Sequence, residues 1–248
     1  MENIEKIKKT AIIIPARLNS SRLKNKLLLV AKNKPVIQWV YEAAIKVKLA
    51  SMVIVACDSE EIFNAVKKFG GNVEMTSSDH KSGSDRIAEV VKRHPEIEYI
   101  LNLQGDEPQM SPDVIDSLIA ALHDSTADIS TLLRKITDKE QIENPNCVKC
   151  VFNKDNYALY FSRYPVPYPR NAESAEYYGH IGMYAYRRES LLKMTSLPMA
   201  MVEKTESLEQ LRALYNGMSI KTIITNLNPV GIDTIQDFEK FKNIIENN

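Results

Sequence analysis

Residues 10–26 read TAIIIPARLNSSRLKNK. Residues 10–16 are a short, almost continuous apolar run that ends around a proline, as in a strand buried on both faces rather than one that alternates with polar positions. The loop after it carries Arg17, Arg22, Lys24 and Lys26, with Asn19, Ser20 and Ser21 among them. A doubly buried strand belongs in a parallel sheet with helices on each face, and the next eighty residues repeat the pattern. In 34–48, KPVIQWVYEAAIKVK, Val36, Ile37, Val40, Ala44 and Val47 fall at helical spacing, with Pro35 suited to the first turn. MVIVAC (52–57) is a second buried strand. DSEEIFNAVKKFGG (58–71) is a helix that Asp58 or Ser59 can cap and Gly70-Gly71 ends. NVEMT (72–76) is a third strand, GSDRIAEVVKRH (83–94) a helix and YILNLQ (99–104) a fourth strand. The alternation predicts an α/β fold with a parallel sheet.

The pattern then changes. After a helix in SPDVIDSLIAALHD (111–124), the segments ADISTLLRKI, CVKCVFN, YALYFSR and HIGMYAYR are mostly strand-like, which predicts an antiparallel or mixed middle third. SLEQLRALYNG (207–217) restores a helix, SIKTIIT (219–225) a strand, and residues 233–247 form a closing helix that Asp233 can cap. The aromatic-proline stretch at 164–179 is the longest irregular segment, and such loops are often functional.

Of the 248 residues, 44% are hydrophobic and 26% charged, the balance of a soluble globular protein. Lys+Arg and Asp+Glu both number 32, so no overall charge favours nucleic acid as a partner. No run approaches the roughly 18 apolar residues of a membrane span, and a cytoplasmic location is expected. Cys147 and Cys150 form one C-x-x-C without the second pair or histidines that zinc requires, and they read as part of a strand.

Four clusters could carry chemistry. In an open α/β sheet, ligands bind beyond the carboxyl ends of the strands. The basic loop after the first strand is therefore either a phosphate cradle or a solvated charged face; it has neither a P-loop nor a dinucleotide fingerprint. Ser82-Gly83-Ser84-Asp85-Arg86 opens a helix; Ser84 or Asp85 either caps it, or Gly83 lets a ligand reach the backbone N–H groups. Asp106 and Glu107, in QGDEP, follow the fourth strand at the same edge as the basic loop. A carboxylate facing phosphate calls for a hard cation, Mg²⁺ or Mn²⁺, and Asp233 in GIDT is the comparable second acid. If the fourth strand continues, Gln104 shares a face with Asp106 and Glu107 points the other way. The fourth cluster, Arg163 and Arg170 with His180 and Tyr184, suits an acidic sugar or another carboxylate; the alternative is a hydrophobic strand with solvent-facing arginines.

In their order and spacing, IIPARLNSSRL, ACDSEEI, SGSDRIAEV, NLQGDEP, NPNCVK, YALYFSRYPVPYPR, HIGMYAYR, ESLEQLR and GIDT resemble the 3-deoxy-manno-octulosonate (KDO) cytidylyltransferases, or CMP-KDO synthetases, from about residue 10 to 240. The resemblance implies a glycosyltransferase-A-like, Rossmann-like nucleotidyltransferase fold. It implies one domain over 1–248, with about 10–125 and 218–248 as the nucleotide and metal part and about 126–217 as the sugar-binding and dimerisation part. It implies CTP and KDO as substrates, Mg²⁺ as cofactor, CMP-KDO for lipopolysaccharide synthesis as product, and a cytoplasmic homodimer. Position by position, it implies Arg17 and Lys26 as triphosphate-binding cations and Asp58, Ser82, Gly83 and Arg86 as the cytidine side. Asp106 and Asp233 become metal carboxylates, and Gln104, Arg163, Arg170, His180, Tyr184, Glu209 and Gln210 the KDO-binding set. Two departures stand out: RLKNKLLL replaces the usual RLPGKPL, and Ala185 stands where glycine is usual. They point towards a KDO analogue such as 8-amino-KDO as an alternative sugar. A nonulosonate cytidylyltransferase and a non-catalytic nucleotide- or sugar-binding protein are the other readings.

Overall fold

The computed structural model describes residues 2–18, 23–227 and 231–247; Asn19, Ser20, Ser21 and Arg22 of the basic loop lie outside the described residues. The chain runs α1 (Glu2–Lys8), β1 (Thr10–Ala16), β2 (Val30–Ala31), β3 (Lys34–Pro35), α2 (Val36–Ala44), β4 (Met52–Cys57), α3 (Glu60–Lys68), β5 (Val73–Met75), α4 (Gly83–Arg93), β6 (Tyr99–Asn102) and α5 (Pro112–His123). It continues through β7 (Ile129–Ile136), α6 (Lys139–Glu143), β8 (Lys149–Phe152), β9 (Ala158–Ser162), β10 (Tyr177–Arg187), α7 (Arg188–Ser196), α8 (Met201–Glu206), α9 (Gln210–Tyr215), β11 (Ile220–Ile224) and α10 (Ile235–Glu246). It divides into two compact units, Met1–Asp116 with Pro229–Asn248, and Ser117–Asn228.

In the first unit the strands lie in the order β6-β1-β4-β5, all parallel, as the apolar runs predict. Ile12, Ile13 and Ile14 of β1, Ile54 and Val55 of β4 and Leu101 of β6 are wholly buried. Burying such side chains contributes about 1.5–3 kcal/mol each, which is why these runs resist any other placement. The register sets Ala16 beside Cys57 and Cys57 beside Met75, so the carboxyl ends of successive strands share one edge. Ser59, one of the two expected caps, accepts from Ile62 N and starts α3. The cap of α4 is Ser82, not Ser84 or Asp85: its hydroxyl accepts from Asp85 N at 3.1 Å. Asp233 does not cap α10 either. Thr234 does, in a reciprocal box with Asp237. Phe238 and Phe241 of α10 pack with Ala31, Val36 and Ile232, and Trp39 meets Phe241 edge-on at 6.0 Å.

The second unit is mixed. β7 pairs antiparallel with β10 and parallel with β11, while β8 lies antiparallel to both β9 and β10. The β7–β10 register shifts between Ile181 and Tyr184, and Thr131 Oγ1 donates to Met183 O at 2.8 Å within the irregularity. Such bulges re-aim side chains, here those flanking His180 and Tyr184. Among the described residues no helix is long and apolar enough to cross a membrane.

Candidate active site

In the first unit, three loops meet at the carboxyl edge of the sheet. Asp58, just past β4, accepts from Leu18 N through Oδ1 at 3.0 Å and from Arg86 Nη2 through Oδ2 at 2.9 Å. It thus ties the loop after β1 to the first turn of α4. The Arg86 side chain is 0% exposed and also donates to Ser77 O at 3.2 Å and to Thr76 Oγ1 at 2.5 Å. Arg86 is thereby a strut behind the edge, its Nε a buried donor without a hydrogen-bond partner. Gly83 lies against Pro15, where a Cβ would come within 3.4 Å of Cγ. Arg17 Nη2 donates to Lys81 O at 3.1 Å, which brings the cation to the loop before α4. Arg86→Lys keeps the charge but loses the fork, leaving buried acceptors unpaired. It is expected to cost about 2 kcal/mol of stability, read by urea denaturation.

β6 ends at Asn102, so the strand alternation does not extend to the acids. Instead the chain turns, with Glu107 N donating to Gln104 O at 3.2 Å, and Gln104 Nε2 lies 3.4 Å from Asn102 Oδ1. The condition on which Glu107 would point away from Asp106, a strand continuing through 107, is therefore not met. Burial pushes Glu107 up to about 8, and the negative charges of Asp106 and Asp233 push the same way against Lys26. Its Oε2 is buried without a hydrogen-bond partner. Asp233 is brought in by the backbone: Ile232 N donates to Asp106 O at 2.9 Å, with the buried Ile232 side chain seated in the α10 cluster. Lys26 Nζ bridges the two acids, donating to Asp106 Oδ2 and, at 3.3 Å, to Asp233 Oδ1. The lysine is held by its neighbours. Asn25 is left-handed at φ 55, a 3-10 turn spans Lys26–Leu28, and a Cβ on Gly105 would lie 3.4 Å from Leu27 and 3.2 Å from Pro15 O.

In the second unit, His180 lies between two aromatic rings, Phe161 at 4.9 Å and Tyr184 at 5.4 Å. Its Nε2 is 3.0 Å from Thr131 Oγ1, and burial pushes it down to about 3, so it is a neutral polar group. Burial holds the Tyr184 phenol well above its ordinary range, with the charges of Tyr186 and Glu209 adding to this. Gln210 is 6% exposed, and its Nε2 is a buried donor without a hydrogen-bond acceptor. Arg163 is clamped: Nε donates to Glu206 O at 2.6 Å, Nη1 to Pro145 O at 3.0 Å and Nη2 to Ser207 O at 3.3 Å. Lys149 Nζ reaches Arg163 O at 2.6 Å and Glu206 Oε2 accepts from Arg163 N at 2.9 Å. Arg170 is exposed. The set is thus uneven: His180, Tyr184 and Glu209 are neighbours, whereas Arg163 holds the β9 end to α8. Sequence reasoning missed Thr131 and Glu206 as the partners that fix His180 and Arg163. Glu206 is the first residue of the quoted ESLEQLR motif, while nothing local marks Thr131.

This arrangement invites comparison with nucleotidyltransferases. The cytidylyltransferase family profile matches residues 11–220. A 3-deoxy-manno-octulosonate cytidylyltransferase of Rhodopirellula baltica is 47% identical, covering 96% of this chain and 99% of that protein. The chain belongs to this family. A 3-deoxy-manno-octulosonate cytidylyltransferase of Fusobacterium nucleatum is 43% identical over 95% of this chain and 96% of that one. Among solved structures, a CMP:2-keto-3-deoxy-manno-octonic acid synthetase complexed with CTP superposes with a TM-score of 0.93 at 42% identity, covering 97% of this chain and 99% of the other. A Leptospira borgpetersenii cytidylyltransferase at 17% identity, with a TM-score of 0.65, shares the fold alone. Against the usual cytidylyltransferase pattern, the alanine at 185 is wholly buried opposite Ser130. It changes the interior of β10 and adds nothing to an open surface.

Proposed function

We infer that the chain joins CTP to 3-deoxy-D-manno-octulosonate, forming CMP-KDO and releasing pyrophosphate, and so activates the sugar for lipopolysaccharide synthesis. The observation that carries this is Lys26 between Asp106 and Asp233 at the strand edge that also presents Arg17, in a chain of this family. The anomeric hydroxyl of the sugar attacks the α-phosphorus of CTP, and the bond to the β-phosphate bridge breaks. Such a transfer asks for position and charge rather than a nucleophilic side chain. Arg17 and Lys26 supply positive charge for the leaving pyrophosphate. The Ser82–Gly83 start of α4, with Asp58 braced by Arg86, shapes the nucleotide side.

Two carboxylates converging on a single cation are a hard-oxygen donor set that fits Mg²⁺. Asp106 and Asp233 would hold it, and when bound it supplies Lewis-acid stabilisation at the reacting phosphate. For the sugar, neutral His180, the un-ionised Tyr184 phenol and the buried Gln210 amide offer hydrogen bonds without a competing charge. Glu209 completes the polar set of the second unit, Gln104 is the sugar candidate of the first, and exposed Arg170 is a cation available to a sugar carboxylate. A cytoplasmic homodimer goes with this reading, supported by the resemblance of the middle third to the family's dimerisation region.

The test is pyrophosphate release with CTP and Mg²⁺, offering KDO, 8-amino-KDO or a nonulosonate in turn. Release with KDO is expected to dominate. Release with another sugar and none with KDO would overturn the assignment.

A further inference from the structure

We propose that Lys26 is a built-in counter-ion for the metal position: its ammonium and a divalent cation are alternative partners of the same Asp106 and Asp233 oxygens. This deepens the two-carboxylate reading above and rests on it. Asp106 and Asp233 are brought together by main-chain pairing, through Ile232 N and Asp106 O at 2.9 Å, so their separation is set by the fold rather than by a metal. Two bare carboxylates held in this way repel, more strongly in a partly buried setting than in water. Lys26 relieves that repulsion by bridging both; its side chain is 15% exposed, against 23% and 40% for the acids. A divalent ion and an ammonium crowded onto the same oxygens repel each other, so Lys26 turns away when the cation arrives.

The turn is a matter of side-chain torsions. The backbone beneath Lys26 is fixed by the Asn25 turn at φ 55 and by Leu27, which is 4% exposed and wedged against Gly105. The flexible four-carbon stem can carry the ammonium from carboxylate to polyphosphate without moving the loop. Two consequences follow. The protein alone binds divalent cations weakly. A polyphosphate, by drawing Lys26 off the acids, raises metal affinity, and by linkage the metal raises polyphosphate affinity.

Mn²⁺, a hard cation with a paramagnetic signal, is the probe, titrated into the full-length protein without nucleotide and read as free ion by electron paramagnetic resonance. Lys26→Gln is expected to bind Mn²⁺ about tenfold more tightly than the unaltered protein. Lys26→Met, which keeps more of the stem's packing, is expected to do the same, and Lys26→Arg, which keeps the charge, to stay weak. Adding Asp106→Asn to Lys26→Gln should abolish the gain. The proposal falls if Lys26→Gln and Lys26→Met bind no more tightly than the parent. It falls too if Lys26→Arg gains as they do, if the gain survives Asp106→Asn, or if no form binds Mn²⁺. None of these readouts involves turnover, so failure of the pyrophosphate assay would count against the function and not against the exchange.

Discussion

Asp106→Asn is expected to lower kcat at least ~10²-fold, a loss of about 2.7 kcal/mol of transition-state stabilisation. The substitution preserves size and the backbone that positions residue 106: Ile232 N still meets the carbonyl at 2.9 Å, and Gly105 still lies against Pro15 and Leu27. What it removes is one of two negative charges facing Lys26. A neutral amide is a poorer ligand for a hard cation, and on the two-carboxylate reading it would leave Asp233 to hold that cation alone. Thermal stability should change little, because Lys26 keeps Asp233 as a partner. Steady-state kinetics at saturating Mg²⁺ and both substrates, run beside a melting curve, separate the two effects. Turnover near that of the parent would remove Asp106 from the metal-binding role.

The second large effect is on stability. Glu203 is 2% exposed; its two oxygens accept from Arg212 Nε at 2.9 Å and Nη2 at 2.6 Å, and Oε2 also accepts from Ala200 N at 3.0 Å. This fork joins α8 to α9, the segment that presents Glu206, Glu209 and Gln210. Replacing Glu203 with Ala takes the carboxylate away from a guanidinium that is only 11% exposed. Breaking a buried pair from one side costs about 3–5 kcal/mol, whereas replacing both partners with apolar groups of similar size is often nearly neutral. Glu203→Ala should therefore lower the urea midpoint sharply, and Glu203→Leu with Arg212→Met should recover most of it. A Glu203→Ala loss below about 1 kcal/mol would show the pair to be surface-like.

The β-α alternation was legible because doubly buried strands such as 10–16 and 52–57 leave a local trace: continuous apolar runs closed by capping and turn residues. The mixed middle third was legible for the same reason. The short β2–β3 hairpin, α1, α6, α7 and α8 were not anticipated. A two-residue strand has no period to read, and α8 is held by the Glu203–Arg212 fork rather than by an apolar stripe. Caps were misassigned where several candidates crowd together, as at Ser82-Gly83-Ser84-Asp85, because geometry alone decides which hydroxyl precedes the first turn. At the site, the sequence brought out residue types but not their partners. Arg86, placed by the resemblance on the cytidine side, is fully buried on Asp58. Glu107 reads as a spectator, yet burial and the charges of Asp106 and Asp233 oppose its ionisation. Both depend on residues distant in the chain, which no local pattern encodes.

The start of α10 carries a consequence of its own. Thr234 and Asp237 cap the helix between them, so the Asp233 side chain is not its cap. The housekeeping of the fold and the demands of the chemistry are assigned to neighbouring but separate residues. If Asp233 holds the metal, a lineage that lost the acid at 233 would lose the reaction with it, yet keep the Thr234–Asp237 cap and the aromatic seat beneath the helix. Descent from a working enzyme to a folded, silent binder would then be one substitution long at this position.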